Sequence, residues 1–118
     1  MPKRILVVDD DAINRKLLIK ILDRKGFESI EASNGVEALD ILKREPIDIV
    51  LLDIVMPVMN GLELLQELRK NPQFVGLPVI ILTTDDTKKN EALSLGACDV
   101  LIKPIKEPEL KTLLATYL

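Results

Sequence analysis

Asp9 and Asp10 close one apolar run of this chain, Asp53 closes a second, and Lys103-Pro104 closes a third. If those runs are parallel strands, three carboxylates and an ammonium converge on one edge of a sheet. Like charges that close together repel unless a cation or a proton offsets them. The pattern therefore reads as a divalent-metal site beside a reactive carboxylate. Carboxylate oxygens, a main-chain carbonyl and waters suit hard, octahedral magnesium, an ion that also contacts phosphate. A carboxylate next to such an ion can attack phosphorus and form an acyl phosphate. Phosphoryl transfer is mostly positioning and charge neutralisation, so a hydroxyl and a second cation complete the chemistry. Thr83, ending a further apolar run, supplies the hydroxyl, and Lys103 supplies the ammonium. Singly, each residue has a plainer explanation. Strand ends often carry threonine or lysine, and an acidic pair often caps the next helix, a task open here to Asp10 or Asp11. It is the ordered combination that points to chemistry.

The elements that must position these groups alternate along the chain. Ile5 to Asp9 is an unbroken apolar run ending in an acid, as expected of a strand covered on both faces. From Ala12 to Lys25 the spacing predicts a helix with Ile13, Leu17, Ile21 and Leu22 on its inner face, stopped by Gly26. Phe27 to Ala32 is a more polar strand, expected near an edge. After the Asn34-Gly35 turn, Val36, Leu39 and Leu42 mark a second helix that ends before Pro46. Ile47 to Asp53 is the third strand. Met56-Pro57 and Asn60-Gly61 punctuate a loop, and Leu62, Leu65 and Leu68 begin the third helix. Pro78 to Thr83 is the fourth strand, with proline tolerated at its first residue. Asp85 to Leu95 reads as a weakly amphipathic helix closed by Gly96. Asp99 to Lys103 is a short fifth strand, and Leu110, Leu113, Leu114 and Tyr117 form the inner face of the last helix. Strands alternating with helices imply right-handed crossovers and a parallel sheet. Bringing the polar ends of strands one, three, four and five together requires an α/β, doubly wound sheet of order 2-1-3-4-5, in which ligands bind outside the carboxyl ends of the strands.

The bulk numbers narrow the function classes. At 118 residues the expectation is one domain spanning 1–118, with 47% apolar residues to build a core and 30% charged residues to keep it soluble. A net charge of -3 leaves no basic footprint for nucleic acid. Histidine is absent, which removes imidazole catalysis and common zinc sites. Cys98 stands alone, so no internal disulfide forms and a reducing compartment is the simpler expectation. Met1-Pro-Lys-Arg is too short for a signal peptide, and no apolar stretch nears the roughly 20 residues that span a bilayer. A cytoplasmic module without membrane or direct nucleic-acid contact is expected.

The motifs Ile5-Leu-Val-Val-Asp-Asp10, Leu51-Leu-Asp-Ile-Val-Met-Pro57 with Gly61, Leu82-Thr83, Gly96-Ala-Cys-Asp99 and Ile102-Lys-Pro104 occur in order. Together they resemble the receiver domain of two-component response regulators, and the likeness covers essentially the whole chain. The resemblance implies a flavodoxin-like (βα)5 three-layer sandwich. It implies that Asp53 accepts a phosphoryl group from a phosphohistidine on a histidine kinase or histidine phosphotransferase. Asp10 matches a direct magnesium ligand, and Asp9 matches the acid that assists, often through water. Asp53 and the main-chain carbonyl of Val55 match the remaining protein ligands, and Mn2+ is a substitute for Mg2+. Thr83 matches the hydroxyl that swings toward the phosphoryl oxygens, Lys103 matches the lysine that pairs with them, and the Lys103-Pro104 bond is expected to be cis. A surface then changes for an output protein, often through the face of helix four, strand five and helix five. Such a module catalyses its own phosphoryl uptake and loss but is not a turnover enzyme. No effector segment follows Tyr117-Leu118, which suits a free-standing receiver and a fragment alike.

Four positions depart from the family pattern. Val100 stands where an aromatic ring commonly rotates during activation, and valine is stiff at χ1. The expected readout is therefore through the loop after strand four. Thr84 replaces a frequent alanine and narrows access, and Ile105 replaces a frequent phenylalanine in a packing role. Val55 offers no polar side chain to position attacking water, so a long-lived phosphoryl state is expected. Two rivals remain beside this reading. One is a magnesium-dependent aspartyl phosphohydrolase, which would need a second acid where Val55 stands. The other is a receiver-like scaffold that works without phosphorylation. A flavin-binding module of the same topology would need a phosphate-cradling Ser/Thr/Gly loop after strand one, which this chain lacks.

Overall fold

A computed structural model describes residues 2–56 and 58–118, so the predicted turn at Pro57 and the first residue of the chain lie outside the described residues. Five strands, β1 (Arg4–Val8), β2 (Glu28–Ala32), β3 (Ile49–Asp53), β4 (Val79–Thr83) and β5 (Asp99–Ile102), pair in parallel in the order β2-β1-β3-β4-β5. They alternate with α1 (Ala12–Arg24), α2 (Gly35–Arg44), α3 (Gly61–Lys70), α4 (Lys89–Ser94) and α5 (Glu107–Tyr117). This is the doubly wound α/β order expected from the sequence. Strand ends fall within two residues of the predicted ones.

The apolar strand runs are explained by what covers them. Successive side chains point to opposite faces, and each face of the sheet meets helices. Ile5 and Val7 of β1, with Ile49 and Leu51 of β3, pack under α1 and α5 through Leu18, Leu22, Leu110, Leu113 and Leu114. Leu6, Val8, Val50 and Leu52 pack on the other side with Ala38 and Ile41 of α2, Leu64, Leu65 and Leu68 of α3, and Ala92 of α4. Five strand residues in a row are buried in β3 and again in β4. β2 lies at the edge and is only partly covered, which accounts for its polar composition.

Three expectations are corrected here. α1 buries Leu18 and Leu22, whereas Ile13 and Leu17 are 72% and 58% exposed. Both stripes are apolar, but only the Leu18–Leu22 arc faces the sheet fully, and Ile21 is partly buried beside it. The predicted helix from Asp85 to Leu95 divides into a 3-10 turn (Asp86–Lys88) and the short α4. Cys98, whose small apolar side chain the sequence suggests is buried, is only partly buried, and the Tyr117 hydroxyl donates to its carbonyl at 2.9 Å.

Caps decide which acids are free. Asp11 is the N-cap of α1, its carboxylate accepting from the N–H groups of Ile13 and Asn14 at 2.9 and 3.3 Å. Capping is therefore done by Asp11, and Asp9 and Asp10 are left at the sheet edge. Asn60 and Glu63 form a reciprocal capping box at α3. That start is held against β3, because a side chain at Gly61 would run into the carbonyl oxygen of Asp53.

Candidate functional site

The site forms where the strand order reverses, at the carboxyl ends of β1 and β3. Val8 pairs with Leu52, so Asp9 and Asp10 emerge from β1 beside Asp53, the last residue of β3. One carboxylate oxygen from each of Asp9, Asp10 and Asp53 lies within 4.8 Å of the others. Asp9 and Asp53 are only 3% and 7% exposed, while Asp10 faces solvent. Lys103, the residue after β5, reaches back across the edge. Its Nζ sits 3.2 Å from Oδ1 of Asp53 and 3.4 Å from Oδ2 of Asp9. Its main-chain N–H donates to the carbonyl of Thr83 at 2.7 Å, which ties the lysine to the end of β4. The Lys103-Pro104 peptide bond is cis.

Burial raises the pKa of Asp53 above the ordinary carboxylate value; Lys103 opposes the shift, and the charges of Asp9 and Asp10 add to it. Three acids share one ammonium, so the cluster is short of positive charge. Hard oxygen donors in reach of each other, with a charge deficit, fit a small divalent cation. Asp9 is restrained at every polar group it has. Its N–H donates to the carbonyl of Ala32 at 3.1 Å, and Oδ1 accepts from the N–H of Asp11 at 2.9 Å.

Thr83 lies at the same edge and is buried, but its hydroxyl is engaged elsewhere. It accepts from the N–H of Asp85 at 3.0 Å and bonds to none of the three acids among the described residues. The carboxylate of Asp85 in turn accepts from the N–H of Thr87 at 2.9 Å, shaping the 3-10 turn. Val55 stands two residues beyond β3 and is exposed, Thr84 is exposed beside Lys103, and Val100 is enclosed in the core. In the loop after Asp53, Val58 has a φ of 71°, which a β-branched residue adopts only under strain. Sequence reasoning passed over two residues that shape the site. One is Asp85. The other is Arg15, whose Nη1 donates to the carbonyl of Asp9 at 2.6 Å and whose Nε donates to Glu31 at 2.8 Å. The Asp85 contacts are local, two residues apart, and an aspartate heading a helical turn is a capping signal; Arg15 has no such signal, because packing brings its partner Glu31 near from β2.

Fold and site together define a class of protein. The chain matches the family described as the response regulator receiver domain over residues 5–115. It belongs to that family, the receiver domains of two-component response regulators. Among curated relatives, the polar-differentiation response regulator DivK of Brucella anthropi is 34% identical over 120 residues, covering 100% of this chain and 98% of that one. Among solved structures, chemotaxis response regulator CheY4 of Vibrio cholerae superposes with a TM-score of 0.92 at 32% identity, over 100% of both chains. The receiver domain of sensor histidine kinase PA1611 from Pseudomonas aeruginosa, solved with a magnesium ion coordinated in its active-site cleft, gives 0.91 at 27% identity, over 99% of this chain and 98% of that one. Among the described residues, no helix is long and apolar enough to cross a membrane.

Proposed function

We propose that residues 1–118 form one receiver domain that takes a phosphoryl group on Asp53 from a phosphohistidine of a histidine kinase or histidine phosphotransferase. The observation that carries this reading is the placement of the Lys103 ammonium against two buried carboxylates, with Asp10 open to solvent beside them. A carboxylate oxygen of Asp53 attacks phosphorus, the N–P bond of the donor breaks, and the imidazole nitrogen leaves with the bonding pair. The product is an aspartyl phosphate, a mixed anhydride. The nucleophile must be ionised to attack, and burial opposes that ionisation. Lys103 holds Asp53 in its charged form and then pairs with the transferred oxygens.

Asp10, Asp53 and the main-chain carbonyl of Val55 would hold magnesium, with manganese as a substitute, and Asp9 would assist. When bound, the ion neutralises charge on the acids and on the phosphoryl oxygens. The hydroxyl of Thr83 donates to a phosphoryl oxygen, which draws it away from the N–H of Asp85. The turn built on Asp85 and Thr87 then loses one of its anchors. Val100 has no ring to carry the change, so this loop is the bistable element that the new charge biases. Such a switch delivers its signal to an output protein, and uptake and loss of the phosphoryl group are both catalysed by the domain itself in a cytoplasmic setting. Exposed Leu17 borders a groove beside Lys103 that also includes Ile21, Pro104 and Ile105, an apolar shelf for the donor protein. The phosphohydrolase alternative has no support at Val55, which is apolar and points no acid at the site.

The test is phosphorylation by a small-molecule acyl phosphate with magnesium, read by intact mass, in wild type and Asp53→Asn. One added phosphoryl group is expected on the wild type and none on the folded variant. Equal labelling of the two would remove Asp53 from this role, and multiple turnover on phosphate esters would favour the hydrolase.

A further inference from the structure

Of the groups around the site, Arg15 has the most contacts for which the phosphoryl chemistry gives no account. Its side chain is only 15% exposed, although it starts from the second turn of a surface helix. The guanidinium spans two elements. Nε donates to Oε1 of Glu31 on β2 at 2.8 Å, and Nη1 donates to the main-chain carbonyl of Asp9 at 2.6 Å. Glu31 is itself fixed, since Nζ of Lys16 lies 2.8 Å from its other oxygen and its strand pairs in register with β1 through Val7. The carbonyl of Asp9 belongs to the planar peptide unit whose nitrogen is that of Asp10. Holding that oxygen therefore fixes the N–Cα bond of Asp10, and with it one of the determinants of where the Asp10 side chain points. Asp10 needs such help, because its exposed carboxylate accepts no hydrogen bond among the described residues.

We propose that Arg15, anchored by Glu31, is a positioning residue for the metal ligands: it clamps the Asp9–Asp10 peptide so that the Asp10 carboxylate is preorganised to bind a divalent cation. The proposal rests on the reading of Asp10 as a cation ligand. Partners that orient metal ligands from behind typically contribute 10–100-fold in affinity, and a contact to the main chain belongs at about the lower end of that range. A purely electrostatic role has the opposite sign, because removing a positive charge near the site would tighten cation binding. A purely structural role would lower the melting temperature of the protein and leave cation affinity of the folded molecules unchanged.

The experiment is titration of the full chain with MgCl2 alone, without a phosphodonor, followed by calorimetry and by the amide NMR signals of residues 9–11 and 53. Wild type should bind and Asp10→Asn should bind far more weakly; if these two bind alike, the reading of the site fails and takes the proposal with it. With those controls in place, Arg15→Met should weaken Mg2+ binding by about tenfold while its amide spectrum stays dispersed. Unchanged or tighter binding overturns the clamp and leaves the site reading standing. Should Arg15→Met not fold, Glu31→Ala decides, since it keeps the guanidinium and removes its anchor. A severalfold weakening is expected there, and wild-type affinity would refute the proposal.

Discussion

Replacing Lys103 by methionine removes the cation that separates Asp9 from Asp53 and keeps a similar apolar stem. The ammonium lies 3.2 Å from one carboxylate and 3.4 Å from the other, and the side chains of Asp53 and Asp9 are 10% and 5% exposed. At an effective dielectric constant of about 20, each contact carries roughly 5 kcal/mol of gross attraction. Most of that is offset by the cost of desolvating the three groups. Breaking a buried pair by deleting one partner costs about 3–5 kcal/mol. Lys103 keeps some contact with water, and a carboxylate left alone can take up a proton, so a loss of about 3 kcal/mol at neutral pH is expected. For a domain of this size that is roughly a 10 °C fall in Tm. The pH dependence has a definite sign. Asp53 already has a folded-state pKa above its unfolded value, and loss of Lys103 raises it further. Its charge therefore destabilises the fold above the folded pKa, and the penalty fades as pH falls toward the unfolded value of about 3.9. Urea melts with chelator should show the gap between variant and wild type widest at pH 7 and narrower at pH 5. Addition of MgCl2 should then stabilise the variant more than the wild type, because the ammonium no longer competes for the acids. An equal gap at both pH values, or equal stabilisation by magnesium, would refute the electrostatic account.

Two further outcomes follow from the loop after Asp53. Val58→Asn should raise stability by about 1 kcal/mol, since strain of this kind costs about 1–3 kcal/mol and asparagine tolerates the left-handed region; a fall in Tm would show that φ of 71° carries no penalty here. Val55 is exposed and apolar, so position 55 offers no polar side chain to orient water against a phosphoryl group on Asp53. Once donor is removed, the aspartyl phosphate should persist for minutes or longer in magnesium, and Val55→Asn should shorten its life; loss within seconds would contradict the reading.

Much of this protein is legible from the chain because the strands are covered on both faces. Uninterrupted runs such as Ile49 to Leu52 and Val79 to Leu82 identify buried parallel strands, and the acids and lysine that end such runs mark one edge. Strand order needs only the demand that these ends meet, and sheet pairing agrees with it. Helix faces were less legible. In α1 two adjacent stripes are both apolar, and only the angle at which the helix lies on the sheet decides that Leu18 and Leu22 go inward while Ile13 and Leu17 stay out.

Residue types and order alone determined the doubly wound sheet and the edge at which Asp9, Asp10, Asp53, Thr83 and Lys103 meet. These follow from periodicity and charge, which are local properties of the chain. Tertiary structure alone decided that Arg15 grips the carbonyl of Asp9 while anchored on Glu31 of β2, and the folded backbone chose locally between open candidates, with Asp11 rather than Asp10 capping α1 and the hydroxyl of Thr83 resting on the N–H of Asp85. Each of these depends on where a backbone group points. Main-chain N–H and C=O are the same at every position of the sequence, and only the folded path of the chain selects which side chain meets them.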